Sequence, residues 1–431
     1  MATKNGKGDG DAIGKREHRQ DIHPADAAIA LLKEDPTCTE PGVENYTAMV
    51  EFEGVEYTDK VSVEVPALGH DWAEPGWVWD IRLTEAYATF RCNRCDEVVH
   101  LTGEITYEVG EDNTIIATAT VTLDGVEYTD TMTAEAGAIV YGTSLVIGEK
   151  FAAKCYLTLP AKVLNDKKAY AEVNGEQILV KNATKVKISK GVYVYAFDFN
   201  LGPKMFNDEI NVKIFDGEGT QLFMLDNHNN YLPDGYTYKA QDYIDKNIAN
   251  SSNENFVTML KALSDFGHYA QVYNNYNLAN MAELYGELPE LTLEDLEDYA
   301  PNSVVYDNNV LTYVGSTMQL QSEIKIRQYY KLASGVDMST LTFTINGEEV
   351  TPVVSGKNIY VQSKNVPAKS FDVAYRFTVK DAEGNVVFES TYSAFSYIRS
   401  TLKNTPDDEN LVNLVKAMYA YGVAAKAYFG N

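Results

Sequence analysis

Cysteine is scarce in this chain, with four in 431 residues. That excludes a disulfide-dense scaffold, in which cross-links stand in for a core. Histidine numbers six, so few side chains are on hand for base catalysis or metal ligation. No run of 18 or more apolar residues occurs, and no segment reads as a membrane-spanning helix. Positive charge is in the minority: 36 Lys and Arg against 62 Asp and Glu give a net charge of −26. Nucleic acids and anionic membranes attract Lys and Arg and are poor partners for such a surface. The Gly-x-Ser-x-Gly elbow, the phosphate-binding loop and the dinucleotide fingerprint are all missing. Acids are so abundant that no one pair stands out as a glycosidase pair. The expectation is a protein that is not an enzyme and requires no cofactor.

What is present is core-forming material. Hydrophobic residues make up 45% and tyrosines number 30, which argues against wholesale disorder. The length suggests about three domains. Met1 to Gln20 is polar, lacks the apolar stretch of a secretory signal and reads as a flexible leader. Pro24–Lys33 suggests a short helix with Pro near its first turn, so residues 1–37 are expected as leader plus helix. The chain is either intracellular or a piece of a longer exported protein, and its repeats favour the second.

The first repeat is short. Thr47–Asp59, with Ala48, Val50, Gly54 and Tyr57, recurs 71 residues later as Thr118–Asp130, with Ala119, Val121, Gly125 and Tyr128. Alternating apolar residues around Glu-Gly or Asp-Gly signal a hairpin, so residues 38–138 are expected to be antiparallel β. The second repeat is longer. Glu254–Tyr273 resembles Glu409–Tyr428, Tyr238–Ile244 resembles Tyr392–Ile398, and Val173–Ile178 resembles Ile345–Val350. Order is kept while offsets drift, as in duplicated domains. The copies are placed at 139–285 and 310–431, joined by a linker at 286–309 in which Thr292–Leu296 suggests one helical turn. Each copy reads as short strands followed by two helices. The last helix is expected to be capped by Thr405 with Pro406 in its first turn, and its counterpart by Ser251 or Ser252. Gly267 and Gly422 fall mid-helix, where glycine costs about 1 kcal/mol, which points to close packing against a strand or to a bend. The fold class expected is multidomain and mostly β with α+β: a small antiparallel β region, then two duplicated β-sandwich-plus-helix-pair domains.

The metal candidates are Cys92 and Cys95 of Cys92-Asn-Arg-Cys95, with His70 upstream and His100 downstream, and Cys38 as a substitute for either histidine. Zinc takes four soft or borderline ligands, and Cys-x-x-Cys supplies two from one turn. A local Cys92–Cys95 disulfide, or free thiols at a strand turn, are the competing readings. A zinc ion here would be structural, stapling a domain with a thin core. Cys155 reads as a buried thiol, His268 as packing and His228 as part of a polar turn. Asp216 and Asp381 open short loops better explained as hairpin turns than as calcium sites. Tyr269, Tyr273, Tyr276, Tyr419, Tyr421 and Tyr428 recur near helical spacing, suited to an interface but more simply explained as core. Trp77 and Trp79 share one strand face, as a sugar platform or, preferably, a core plug.

Cys38-Thr-Glu-Pro-Gly42, Val65-Pro-Ala-Leu-Gly-His-Asp-Trp72 and Ala88-Thr-Phe-Arg-Cys92 together resemble repeat domains of large adhesin-like surface proteins of Gram-positive gut bacteria. Cys92 and His100 match that pattern and Cys95 is an addition. The second hairpin copy lacks the Pro-Ala-Leu-Gly-His-Asp element. Residues 139–431 look like an uncharacterised paired domain of the same proteins, through Tyr-Ile…Lys-Ala-Leu/Met…Phe/Tyr-Gly-x-x-Ala…Tyr. The resemblance implies a cell-surface or secreted setting, no membrane insertion and no known catalytic residues. It makes a host protein or glycoprotein, with immunoglobulin or mucin foremost, the expected partner of a non-catalytic binding module. A stalk or spacer, and a carbohydrate-binding accessory region of a secreted glycoside hydrolase, are the alternatives. Exposed tyrosines would favour binding; buried ones would favour a stalk.

Overall fold

The computed structural model describes residues 28–430 except 135, 136 and 190. The expected leader, through residue 27, lies outside the described residues. The expected helix over Pro24–Lys33 is not formed in its described part. Ala28–Glu34 is instead strand β1, paired antiparallel with β2 (Gly42–Phe52) from Ala28↔Met49 to Glu34↔Val43. A helix this short is marginal by itself, whereas a long neighbouring strand offers a ladder of hydrogen bonds.

The chain is mostly β, with seven antiparallel or mixed sheets and few helices among the described residues. Its described residues divide into two compact units, those up to 105 with 119–130, and 106–118 with those from 131 onward. In the first unit β3 (Val55–Val65) completes a three-stranded sheet with β1 and β2. A second sheet comprises β4 (Gly76–Trp79), β5 (Ala86–Arg91) and β6 (Val98–Thr102). The division falls within all three strands of a third sheet, β7 (Glu104–Val109), β8 (Ile115–Leu123) and β9 (Val126–Ala134). Both repeated hairpins turn through two residues of positive φ, Glu53-Gly54 and Asp124-Gly125, as a two-residue I′ turn requires. A small core joins Ala88, Phe90 and Val121, flanked by Trp72, Trp77 and Tyr128.

The second unit holds both long copies. Copy one runs β10 (Ala138–Val146), β11 (Ala152–Thr158), α1 (Ala161–Asn165), β12 (Tyr170–Val173), β13 (Glu176–Leu179), β14 (Thr184–Ser189), β15 (Val192–Asn200), β16 (Ile210–Phe215), β17 (Met224–Leu225), β18 (Tyr236–Tyr238), α2 (Ala240–Asn250) and α3 (Glu254–Asn274). Copy two runs β19 (Asn302–Val305), β20 (Leu311–Leu320), β21 (Ile324–Leu332), β22 (Thr342–Ile345), β23 (Glu348–Glu349), β24 (Val353–Ser355), β25 (Asn358–Gln362), β26 (Tyr375–Lys380), β27 (Val386–Tyr392), α4 (Ala394–Asn404) and α5 (Glu409–Phe429). The order β14-β15-β11-β10 recurs as β24-β25-β21-β20, and β13-β12-β16-β18 as β23-β22-β26-β27. Even the bulge before Gly142 in β10 has its twin before Gly315 in β20.

The copies share one hydrophobic core. Tyr421 of α5 is fully buried, stacks on Phe266 of α3 at 5.9 Å, and donates its hydroxyl to the Ile147 carbonyl at 3.3 Å. Tyr428 likewise meets Phe256 at 5.0 Å. The mid-helix glycines face neither a strand nor a bend but a ring. A Cβ on Gly267 would come within 2.7 Å of Phe206, and one on Gly422 within 2.8 Å of Phe371. Each ring follows a 3-10 turn, at Pro203–Met205 and Ala368–Ser370.

The helix caps sit later than expected. Asp408 accepts from Leu411 N at 3.0 Å to start α5, and Asn253 accepts from Phe256 N at 3.1 Å to start α3. Thr405 instead closes α4, its hydroxyl bonding the Thr401 carbonyl at 2.9 Å. The segment expected as a linker contributes structure. Leu296 is fully buried, the turn at Glu297–Tyr299 puts Tyr299 edge-on to Phe395, and β19 pairs with β27.

Candidate metal centre

Four candidate ligands converge in the first unit. The donor atoms of Cys38, His70, Cys92 and Cys95 all lie within 4.8 Å of one another. Cys38 Sγ stands 3.8 Å from Cys92 Sγ, and Cys95 Sγ stands 3.5 Å from His70 Nδ1. Cys92 and Cys95 are not joined, and all four cysteines of the chain are free thiols.

Each ligand is positioned by local backbone chemistry. Cys38 sits in the connector between β1 and β2. Gly42 permits its close turn, since a Cβ there would fall 2.4 Å from the Glu34 carbonyl oxygen. The connector is held to the next segment by Leu68 N–H donating to the Thr37 carbonyl (2.9 Å) and Gly69 N–H to the Cys38 carbonyl (3.0 Å). Gly69 has φ of +69°, a conformation glycine adopts freely, and it delivers His70. The His70 ring stacks on Trp72 at 4.6 Å. Trp72 bridges Cys92, at the end of β5, and Cys92 N–H donates to the Glu97 carbonyl (3.0 Å) to close the turn carrying Cys95. Arg94, between the two cysteines, reaches the Leu68 and Gly69 carbonyls at 3.2 and 3.3 Å.

The electrostatics favour one thiolate at the centre. Burial works to raise the Cys92 thiol, but the backbone N–H groups of Arg94 and Asp71, each 3.4 Å from its sulfur, and the His70 ring outweigh it and hold it at about 6. Burial, then hydrogen bonds to Cys95 and Cys92, push the Cys38 thiol up to about 11. Such a set of soft donors, closed and partly withdrawn from solvent, can hold a metal ion.

His100 lies elsewhere. It pairs with Thr89 across β5–β6, and its Nδ1 meets the Thr89 hydroxyl at 2.9 Å. That is three residues on from Glu97, which directly precedes β6, or roughly 10 Å of extended chain. Cys38 occupies the place expected for it. The sequence signal was the setting: Cys38 falls in a Pro- and Gly-bearing connector, where chain can bend toward an ion, and His100 within an alternating strand.

The remaining candidates are placed apart from this centre. Cys155 is fully buried in β11, and burial pushes its thiol far up. His268 Nδ1 donates to the Ala282 carbonyl at 2.8 Å. His228 lies in a turn closed by Asp226, which accepts from His228 N and Asn230 N. Asp216 and Asp381 close equivalent turns, accepting from Thr220 N and Asn385 N. Trp77 flanks the small core, while Trp72 and Trp79 donate their indole N–H to Asp124 and Asp130, both at 2.8 Å. Among the tyrosines, Tyr421 is core and Tyr273 is 43% exposed. No protein-family model and no curated protein matches this chain.

Proposed function

We propose that this chain is a non-catalytic spacer segment of a cell-surface protein, its N-terminal unit stapled by zinc through Cys38, His70, Cys92 and Cys95. The observation that carries the zinc is the donor spacing. In a tetrahedral site with Zn–S near 2.3 Å and Zn–N near 2.0–2.1 Å, sulfurs stand about 3.8 Å apart and sulfur and nitrogen about 3.5 Å. Two of the six separations here, Cys38–Cys92 and Cys95–His70, are 3.8 and 3.5 Å, and all six fall within 4.8 Å. Four protein ligands leave no open position, the pattern of a structural rather than a catalytic ion. Bound zinc would cross-link the β1–β2 connector to the Trp-bearing sheet, where Ala88, Phe90 and Val121 form a small buried core.

The spacer reading is supported by where the aromatic residues go. Tyr421, Phe266 and Phe256 are spent on joining α3 to α5, which makes the two copies one core. The surface setting rests on the sequence resemblance. A second reading, recognition of a host protein or glycoprotein, is favoured by one feature: β14 is a sheet edge, beside an open apolar recess lined by Tyr141, Tyr156, Ile188 and Val194. An edge strand beside an apolar recess suits strand addition by a partner. Exposing the immobilised chain to host secretions and identifying retained proteins by mass spectrometry separates the two. The spacer reading expects nothing above a blank matrix; enrichment of one protein class, abolished by blocking β14, would replace it with the second.

A further inference from the structure

The two repeated hairpins of the first unit carry the same face in different surroundings. In β8–β9, Ala119 and Val121 are buried, and Tyr128 lies edge-on to Phe90 at 4.8 Å. Asp124 and Asp130 receive the indole N–H groups of Trp72 and Trp79. The β4–β6 sheet thus covers that hairpin. In β2–β3 the equivalents are Ala48, Val50 and Tyr57, with acids again at Glu53 and Asp59.

Register places Val50 opposite Tyr57 and Ala48 opposite Asp59. β1 adds Ile29 opposite Ala48 and Leu31 opposite Tyr46. Directly opposed residues share a sheet face, so Ile29, Leu31, Tyr46, Ala48, Val50 and Tyr57 form a largely apolar face with Asp59 on it, while Asn45, Glu51, Lys60 and Ser62 lie on the other with Leu32 and Met49. The apolar face is open: Ile29 is 69%, Tyr57 54% and Val61 54% exposed. Contiguous exposed apolar surface marks a docking site.

The covered hairpin says what fits the open one. We propose that the apolar face of β1–β3 docks a tryptophan-bearing three-stranded sheet of the β4–β6 kind, supplied from outside this sequence, with Glu53 and Asp59 receiving its indole N–H groups. The chain itself cannot supply it: all three tryptophans lie at 72, 77 and 79, on or just ahead of the sheet already packed against β8–β9. The proposal does not depend on zinc at the neighbouring centre.

Two experiments on the full chain test it. In the first, residues 47–59 replace 118–130, which changes only four positions: Thr120→Met, Thr122→Glu, Leu123→Phe and Asp124→Glu. If the first hairpin is competent to receive such a sheet, tryptophan emission and β4–β6 amide protection stay as in the parent. A red shift to solvent-exposed emission with loss of that protection overturns the proposal. In the second, a further copy of residues 70–103 is joined directly ahead of Ala28 in place of 1–27. Amide exchange in β2–β3 should slow about tenfold or more, and not when aspartate replaces the phenylalanine of the added copy. Unchanged exchange overturns the proposal. So does concentration-dependent protection of β2–β3 in the unaltered chain, which would assign the face to a second copy.

Discussion

Cys38 and Cys92 are 54 residues apart in sequence and 3.8 Å apart sulfur to sulfur. Their approach brings the β1–β2 connector against the start of the tryptophan-bearing segment, where Leu68 and Gly69 donate to the connector carbonyls. The small core nearby is thin, so a shared ion would supply much of the cohesion between these parts.

Chelation should therefore loosen one region and spare the rest. Amide exchange is expected to rise at 35–41, 66–72 and 92–97 after treatment with a strong chelator. The α3 and α5 amides, held by the shared core of the copies, should not change. Uniform exchange changes across both units, or none, would count against a local staple.

Gly422→Ala should destabilise the protein although alanine is the better helix former. The propensity gain is about 1 kcal/mol, but the new Cβ would press on the Phe371 ring, and overpacking costs about 1–3 kcal/mol. A lowered unfolding midpoint is expected, and partial recovery when Phe371→Leu is added. A raised midpoint in the single variant would show that the ring gives way freely.

Tyr421→Ala should weaken both copies together. Truncating a large buried aromatic costs about 3–5 kcal/mol, and this ring contacts Phe151 and Phe266 of copy one as well as Phe371 of copy two. Tyr421→Phe, which removes only the hydrogen bond to the Ile147 carbonyl, should cost about 0.5–1.5 kcal/mol. Hydrogen exchange that accelerates in copy two alone would contradict a shared core.

Asp80 should make the β4–β5 turn acid-sensitive. Burial works to raise its carboxyl, but N–H groups of Glu85, Thr84 and Arg82 and the Thr84 hydroxyl outweigh it and hold the group below the usual carboxylate range. A carboxyl depressed on folding adds stability that is fully present above its unfolded value, about 3.9, and is lost as pH falls through the lower folded value. Denaturant unfolding of the parent and Asp80→Ala should differ at pH 6, and the gap should narrow below about pH 4. A constant gap would remove the carboxylate from the explanation.

Much of this fold was legible from local signals. Glu53-Gly54 and Asp124-Gly125 announced their hairpins because only a few residue types tolerate two successive positive φ values. The duplication was legible because the same spacing of Gly, Ala and Tyr recurs where each α3 or α5 turn must admit a ring. What local signals could not reach was partner choice. Ala28–Glu34 has an unremarkable helical composition and becomes a strand because β2 lies beside it. His100 fits the metal spacing in sequence, but strand register carries it away, while Cys38 arrives from a distant connector. Thr405 has the chemistry of an N-cap and is used to end the preceding helix instead.

Metal content of the purified chain is the most direct test of the central claim. Zinc should be present at one ion per chain, lost in Cys38→Ser, and retained in His100→Ala. Retention in Cys38→Ser together with loss in His100→Ala would contradict the assignment, and a chain that takes up no zinc would remove the staple altogether.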